Sequence, residues 1–523
     1  MIRSFLTVST GTLASRLLGF ARDSMVAALL GAGPIADAFL VAFQLINVIR
    51  RLLTEGALNA ALVPAWLRVR EAEGTAAAAA FAGRILATVS TALIAAALLI
   101  GILMPIVITA LAPGFTGRPS LQLAIDDARL MLPYLAFAGP VTVMMALMNA
   151  QHRFALTAFS PLLFNVSLIT VMIALLGLQH DPAIAARVIA FTVGVAGLLQ
   201  LAILLLRRGS NAPRPLRISF DAQMRGFLGT AVPGMIASCG PQLLVIAGAV
   251  MASTSSSAIS RLYFANRLIE LPLGIVGVAM GTVMVPELAR ALRAQDRVAV
   301  GHAQSRALEL AAGLALPAML GLIVMSESVV RMLFQHGVFS ASDSAATAQT
   351  LNWLALGLPA HVLVKTLSPA FFARQDTLTP LMATLKGLAV AIVLAVILNQ
   401  IIGPAGIAAS IACGAWSSAL VLIRRGAATF GFSIDTAARR RLPRIILAAA
   451  AMGGLVWAAS QLVPPTELHG LANAAVLMML IAGAVAIYGL LLVLLGVVSW
   501  NEARIGFRQN ARSDLRDHEP RGM

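Results

Sequence analysis

The chain has 523 residues, of which 59% are hydrophobic and only 11% are charged, and its formal net charge is +16 at pH 7. A soluble domain carries about 25% charged residues and about 45–50% apolar ones, so this composition excludes an ordinary soluble protein. The cations lie in short segments between long apolar runs, where they report membrane topology. We therefore expect no nucleic-acid partner.

Long apolar runs separate the charged segments. Residues 86–108 and 471–498 are continuously apolar, and each exceeds the roughly 20 residues that a helix needs to cross a bilayer. Strands of a membrane barrel would alternate apolar and polar residues, so the runs predict about 14 membrane-spanning helices. The predicted spans are 5–31, 35–66, 81–112, 122–151, 158–178, 184–206, 224–252, 257–288, 303–333, 345–372, 378–400, 404–423, 443–463 and 471–499. The sequence thus predicts an all-α polytopic membrane protein.

The loops between the predicted spans alternate between arginine-rich and arginine-poor. The poor set offers little beyond Arg118 and Arg187, whereas the rich set includes the long basic stretches 207–225 and 424–444. The positive-inside rule places the rich loops in the cytoplasm, together with both chain termini. The strict alternation also favours an even number of spans.

The two long basic stretches divide the chain into similar halves and an appended pair of helices. Two such membrane halves are a common transporter layout, with the substrate site between them. The predicted segments are a first lobe over 1–206, a cytoplasmic connector over 207–223, a second lobe over 224–423, a connector over 424–442, a last helix pair over 443–499 and a basic cytoplasmic tail over 500–523.

Charged residues within the first predicted span need an explanation, because each costs about 2.5–3.5 kcal/mol at the centre of a membrane. Arg16 and Asp23 are seven positions apart and share a face of an ideal helix, whereas Arg22 points about 120° away from Arg16. A local break or bend at Gly19 could bring all three towards one cavity. Alternatively, Arg22 and Asp23 satisfy each other near the outer end of the span.

The second predicted span carries a further charged face. Asp37, Arg51 and Glu55 lie within about 40° of one another on a helical wheel, and Asn47 and Arg50 lie on its flank. Because the two arginines and Glu55 fall near the cytoplasmic end, snorkelling to the membrane surface is the alternative to a cavity role. The wheel favours Arg51 as the arginine that faces Asp37.

The eighth and tenth predicted spans add more polar residues. The eighth contains Asn266, Arg267 and Glu270, and the tenth contains Lys365. A central cavity built from these spans is net cationic, and arginine forks suit phosphate by bidentate hydrogen bonding. The sequence shows no HExxH, paired carboxylates, cysteine cluster, nucleophile elbow or P-loop. These features predict a transporter of an anionic or phosphorylated substrate, working by alternating access, and not an enzyme.

Several motifs, in order along the chain, resemble those of the MurJ/MviN family, the lipid II flippases of bacterial cell-wall synthesis. The motifs are SRLLGFARD, GAGPIADAFLVAFQLINVIRRLLTEGALNAALVP, APGF (112–115), PY (133–134), MNAQHRF (148–154), SPLLFN (160–165), NRLIELPLGIVGVAMGTVMVPEL (266–288), LFQHGVFSASDS (333–344) and LVKTLSPAFFARQDTLTP (363–380). The resemblance implies the multidrug/oligosaccharidyl-lipid/polysaccharide exporter fold. That fold has two six-helix lobes in a V shape and two C-terminal helices lining a lipid-facing groove.

The resemblance also implies roles for individual residues. The positions that match the family's cavity arginines, and hence its substrate-binding residues, are Arg16, Arg22, Arg50 and Arg267. Residues expected to shape or gate the cavity, from the resemblance and from the span pattern together, are Asp23, Asp37, Asn47, Arg51, Glu55, Asn266 and Lys365. The resemblance favours Arg50 where the helical wheel favours Arg51, and that conflict stays open.

This sequence departs from the family pattern at two of these motifs. Asn266 stands where the motif usually has an acid before Arg267, which questions any carboxylate role at that position. Ile46 stands where the second span usually has proline, so we expect that helix to be less kinked.

The implied substrate is undecaprenyl-pyrophosphate carrying a disaccharide-pentapeptide, moved from the inner to the outer leaflet of the bacterial cytoplasmic membrane. The partners implied are lipid II, membrane lipids and cell-wall synthesis enzymes, and the protein is expected to be a monomer. No cofactor is required, while drive by membrane potential or by a bound monovalent cation or chloride stays open. Two alternatives remain: a cation-coupled exporter of another lipid-linked glycan or drug, which predicts acidic lobes, and a non-transporting membrane scaffold.

Overall fold

A computed structural model describes most of the chain, and all of its regular secondary structure within the described residues is helical. The described residues are 2–54, 57–151, 154–178, 181–206, 218–219, 221–237, 239–280, 290, 294, 297–372, 374, 376–430, 435–462 and 471–498. The helices are α1 (Ile2–Leu30), α2 (Pro34–Thr54), α3 (Ala57–Ile102), α4 (Met104–Leu111), α5 (Pro119–Met131), α6 (Pro133–Ala150), α7 (Phe154–Leu178), α8 (Pro182–Leu206), α9 (Ala222–Ala237), α10 (Cys239–Ser253), α11 (Ala258–Ala279), α12 (Arg297–Val324), α13 (Ser326–Phe334), α14 (Ala341–Ala355), α15 (Leu358–Phe372), α16 (Leu378–Ile402), α17 (Ala405–Phe430), α18 (Thr436–Leu462) and α19 (Leu471–Leu494), with a short 3-10 helix at Pro113–Phe115.

The prediction of an all-α polytopic membrane protein is confirmed. Among the described residues, 9 helices are long and apolar enough to cross a membrane, and the number rises to 10 if α14 and α15, bent by 41° at a short break, form one span. Apart from 35–66 and 81–112, the predicted spans coincide with single helices or with two consecutive ones, as far as the chain is described. Spans such as 224–252 correspond to two shorter helices, α9 and α10. Hydropathy alone does not separate them, because both are apolar.

Two predicted span boundaries were wrong. The predicted spans 35–66 and 81–112 do not match the helices, because α2 ends at Thr54 and α3 runs from Ala57 to Ile102. Within α3, Gly74 leaves helical geometry with φ 88° and ψ 179°, a conformation that glycine adopts at little cost. Two helical parts of α3 therefore meet at a kink at Gly74. The alanines over 76–80 are the best helix formers, so the second part begins without an intervening loop.

The first compact unit consists of Met1–Arg267, Leu333–Thr347 and Ile392–Ile407. In it α1 packs along α7, α2 along α5, and α8 against α5, α6 and α7. A core of buried apolar side chains joins α3, α6 and α9. Its members include Leu62, Phe81, Ile85, Val143, Leu147, Met224 and Phe227.

The second compact unit consists of Leu268–Met332, Ala348–Ala391 and Ala408–Met523. In it α12 packs against α15 and α18, and α18 packs against α19. The Tyr488 hydroxyl donates a hydrogen bond of 2.8 Å to the Gly313 carbonyl, which ties α19 to α12. The helices α16 and α17 approach closely at Gly387 and Gly414, where a Cβ on Gly387 would lie 2.5 Å from the Gly414 carbonyl oxygen.

Candidate functional site

The adjacent residues Arg22 and Asp23 of α1 are both buried, with relative exposures of 8% and 1%. Arg22 donates from Nε and Nη2 to the same oxygen of Asp23, Oδ1, at 3.0 and 2.6 Å. A buried charge is tolerated when it is paired and hydrogen-bonded. The ion pair therefore explains how two of the charges in the first span, Arg22 and Asp23, are tolerated in a buried position.

A second arginine reaches Asp23 from α11. Arg267 Nε lies 2.7 Å from Asp23 Oδ2, and the Arg267 side chain keeps 24% exposure. One turn earlier on the same helix, the Tyr263 hydroxyl donates to Asp23 Oδ1 at 3.1 Å. Residues four apart on a helix share a face, which is why Tyr263 and Arg267 meet the same carboxylate. Asp23 thus has three partners: Arg22, Arg267 and Tyr263.

The guanidinium of Arg22 is also held on the side away from Asp23. Its Nη1 donates to Asn165 Oδ1 at 3.1 Å, and Asn165 Nδ2 donates to the Ser15 carbonyl at 3.2 Å. The rings of Phe43 and Phe164 lie 5.0 and 5.9 Å from the Arg22 guanidinium carbon, within the range of cation–π attraction. Asn165 was not predicted as a site residue, although it ends the SPLLFN motif. Its polar side chain in an otherwise apolar span could have identified it as a candidate.

No break occurs at Gly19, because α1 runs as one helix from Ile2 to Leu30. Gly19 instead makes room for the cation from α11. A Cβ at this position would lie 2.9 Å from Arg267 Nη2 and 3.7 Å from Asn165 Nδ2. The first of these distances is too short for an unstrained contact, so the absent side chain allows Arg267 to approach the α1 backbone.

Asp37 lies at the other end of its helix from Arg51. Its Oδ1 accepts a hydrogen bond of 2.8 Å from the backbone N–H of Ser260, in the first turn of α11. It thereby satisfies one of the unpaired donors of that helix and complements its dipole. Asp37 and Arg51 share a face, as the wheel predicted, yet 14 positions separate them by about 21 Å along the axis. The structure therefore does not bring them together.

The structure does not choose between Arg50 and Arg51. Both side chains are half-buried, and Arg50 Nη2 donates to Asn47 Oδ1 at 3.3 Å. Glu55 lies outside the described residues.

Ile46 is buried, and α2 is a single helix from Pro34 to Thr54, as expected without a proline in its middle.

The other predicted site residues are Arg16, Asn266 and Lys365. Arg16 is exposed, and no hydrogen bond or ion pair reaches it from the part of the chain that the structure describes. Asn266 is exposed as well. Lys365 belongs to the second unit, where its Nζ lies 3.6 Å from the place that a Cβ on Gly277 would occupy. The residues that converge are Arg22, Asp23, Tyr263, Arg267 and Asn165, and we call them the Asp23 cluster.

The Asp23 cluster carries two arginines and one carboxylate, so it is net cationic at neutral pH. This balance suits an anion and disfavours a bound cation. Across the described ranges, no group of three or more histidine, cysteine, aspartate or glutamate side chains could hold a metal ion.

The sequence is similar to one family throughout most of its length. A family model described as "Lipid II flippase MurJ" matches residues 26–492. A probable lipid II flippase MurJ of Rhizobium tropici is 34% identical over 509 residues, covering 95% of each chain. A lipid II flippase MurJ of Burkholderia cenocepacia is 32% identical over 431 residues, covering 81% of this chain and 83% of the relative.

Solved structures show the same fold. A lipid II flippase MurJ in an inward closed conformation matches with a TM-score of 0.76 at 21% identity, covering 94% of this chain and 98% of that one. An inward-facing multidrug resistance MATE family transporter of the MOP superfamily matches with a TM-score of 0.65 at 16% identity, covering 84% and 98%.

Proposed function

Because the chain belongs to the MurJ family of lipid II flippases, we propose that it moves lipid II from the inner to the outer leaflet of the bacterial cytoplasmic membrane. It is a multi-pass protein of that membrane. Its task is to carry a pyrophosphate and sugars across roughly 30 Å of hydrocarbon while the isoprenoid tail stays in lipid. The work is transport, with no bond made or broken in the substrate.

One observation carries the proposal for the binding site: a single buried carboxylate, Asp23, is shared by two arginines from different helices. Arg22 approaches Oδ1 and Arg267 approaches Oδ2. A pyrophosphate offers the same acceptor geometry with more oxygens and more charge. In this proposal the substrate takes over the arginine N–H groups that Asp23 holds, and the two guanidinium groups clamp the pyrophosphate.

The remaining site residues have supporting roles in the proposal. Arg16 and Arg50 extend the cationic surface along which the headgroup moves. Asp37 holds the first turn of α11 in place, and so determines where Arg267 stands. Asn47, Arg51, Glu55, Asn266 and Lys365 shape or gate the cavity around the sugars and peptide.

Transport by alternating access needs two bodies that rock around the site. We place the bodies at 1–206 and 224–423, and we assign the isoprenoid tail to the helix pair within 443–499. The outward side chains Leu447, Trp457 and Met479 of α18 and α19 are 58%, 57% and 72% exposed, as expected for helices that contact lipid. We propose that both termini lie in the cytoplasm, because the connectors between these segments are rich in arginine.

The experiment is complementation of a flippase-depleted bacterium with Arg22→Ala and Arg267→Ala, together with an assay for lipid II accessible from outside. We expect both variants to lose growth and translocation at normal protein levels. Arg118→Ala, in an exposed position outside the Asp23 cluster, is the matched control and is expected to complement. Normal translocation by both cluster variants would refute the arginine clamp. Restored growth without any translocation would instead favour a non-transporting scaffold.

A cation-coupled exporter on the same fold makes a different prediction. It requires carboxylates in excess at the central site, whereas the Asp23 cluster pairs one carboxylate with two arginines. Translocation that depends on Asp23 but tolerates Arg22→Ala and Arg267→Ala would favour that exporter.

A further inference from the structure

Tyr263 belongs to the Asp23 cluster without carrying charge. Its hydroxyl donates to Asp23 Oδ1 at 3.1 Å, the same oxygen that accepts two hydrogen bonds from Arg22. The next residue, Phe264, is fully buried and packs edge-on against the Tyr263 ring, with ring centroids 5.6 Å apart. Phe264 also contacts Phe334 and Phe339, at centroid distances of 5.1 and 5.6 Å. This aromatic packing fixes the rotation of α11 and directs Tyr263 towards Asp23.

The clamp creates a problem for Asp23. When Arg22 and Arg267 turn their N–H groups to the pyrophosphate, a carboxylate with only 1% exposure loses its two cationic partners. Removing the partner of a buried charge is strongly destabilising, because the low-dielectric interior does not solvate it. This destabilisation would weaken substrate binding unless another hydrogen-bond donor stays on the carboxylate.

We propose that Tyr263 is that donor, a positioning residue that keeps a hydrogen bond on Asp23 while the two arginines bind the pyrophosphate. A phenol suits this role, because it is neutral and does not compete with arginine for the phosphate as a cation. Its ring is held by Phe264, so the hydroxyl stays in place without a further loss of side-chain entropy. The inference rests on the proposed function, since it presupposes a substrate that draws the arginines away.

The test is the binding of lipid II to the purified full-length chain in detergent, measured for wild type and Tyr263→Phe. Removing one hydrogen bond to a charged group is expected to weaken the affinity about tenfold. The melting temperature without lipid II should change little, because both arginines then still hold Asp23. An unchanged affinity in Tyr263→Phe, with wild type binding normally, would overturn the inference.

The chain has 3 tyrosines, so the other two provide matched controls. Tyr134 OH lies 3.5 Å from Gln200 Oε1 in the same unit but outside the Asp23 cluster. Tyr488 donates to the Gly313 carbonyl in the second unit. Tyr134→Phe and Tyr488→Phe are expected to keep wild-type affinity for lipid II. An equal loss of affinity in all three variants would mean that the effect is general, and would overturn the specific role of Tyr263.

A double variant separates positioning from simple packing. In an Asp23→Asn background no buried carboxylate is left to stabilise, so adding Tyr263→Phe should weaken lipid II binding no further. A second tenfold loss in that background would show that Tyr263 acts by another route and would refute the inference. If wild-type protein does not bind lipid II at all, the proposed function fails first, and the two failures are thereby distinguished.

Discussion

Arg267 and Asp23 form an ion pair of 2.7 Å between Nε and Oδ2, which joins α11 to α1 within the first compact unit. The pair is asymmetric, because Asp23 is buried while a quarter of the Arg267 side chain stays accessible. The carboxylate is therefore a fixed anchor, and the guanidinium is the member that a ligand can reach.

Replacing Asp23 by alanine leaves the buried Arg22 without its counter-ion. Removing one member of a buried ion pair costs about 3–5 kcal/mol, so Asp23→Ala should lower the melting temperature of the purified protein markedly. Asp181→Ala, at an exposed aspartate that caps α8, serves as the control and should cost about 1 kcal/mol. Equal melting temperatures for the two variants would show that Asp23 is not needed to hold Arg22.

A methyl group at Gly19 should impair transport without harming stability. The added Cβ would lie 2.9 Å from Arg267 Nη2, so the flexible guanidinium has to shift, which disturbs its ion pair with Asp23. Alanine also improves helix propensity by about 0.8–1 kcal/mol over glycine. We expect Gly19→Ala to show reduced lipid II translocation at an unchanged or higher melting temperature. Gly177→Ala in α7, where nothing lies within 4 Å of the added Cβ, should translocate normally; a parallel loss there would contradict the steric explanation.

Asp37 variants separate a capping role from a gating charge. Asp37→Ala removes the acceptor for the Ser260 N–H and should cost about 1–2 kcal/mol of stability. Asp37→Asn keeps an oxygen in the same place, so its melting temperature should stay close to that of wild type. Thermal unfolding and complementation are measured for wild type, Asp37→Ala and Asp37→Asn. If Asp37→Asn is stable but does not complement, the negative charge itself is required, and the gating role is supported over capping.

Gly337 should tolerate alanine much less well than Gly403 does. Both have a left-handed backbone, with φ of 57° and 65°, which costs about 1–2 kcal/mol for alanine. Only at Gly337 would the new Cβ also collide with the backbone of Ala28, whose carbonyl accepts a 2.8 Å hydrogen bond from Val338. We expect Gly403→Ala to cost only the strain of its backbone and Gly337→Ala about 3 kcal/mol or more. Similar melting temperatures for both would show that the loop moves freely off α1.

The amino-acid sequence by itself determined the fold class and the position of most helices. Continuous apolar runs have to form helices in a membrane, because hydrocarbon offers no partner for unpaired backbone groups. The same reasoning identified the charges within α1 and α11 as functional candidates, since burying them without partners would be too costly. It also offered the alternative that Arg22 and Asp23 satisfy each other. This pairing can be read from the sequence because the two residues are neighbours in the chain.

Only the tertiary structure decided which residues meet. A helical wheel gives the direction of a side chain but not the helix that faces it, so Asp37 was placed with Arg51 although it caps α11. Asn165 and Tyr263 are ordinary polar residues in sequence, and they gain a role because α7 and α11 carry them to Arg22 and Asp23. From the sequence, Gly19 was considered only as the site of a local break or bend in α1. Its role instead follows from the approach of Arg267, a contact between distant parts of the chain that no local pattern encodes.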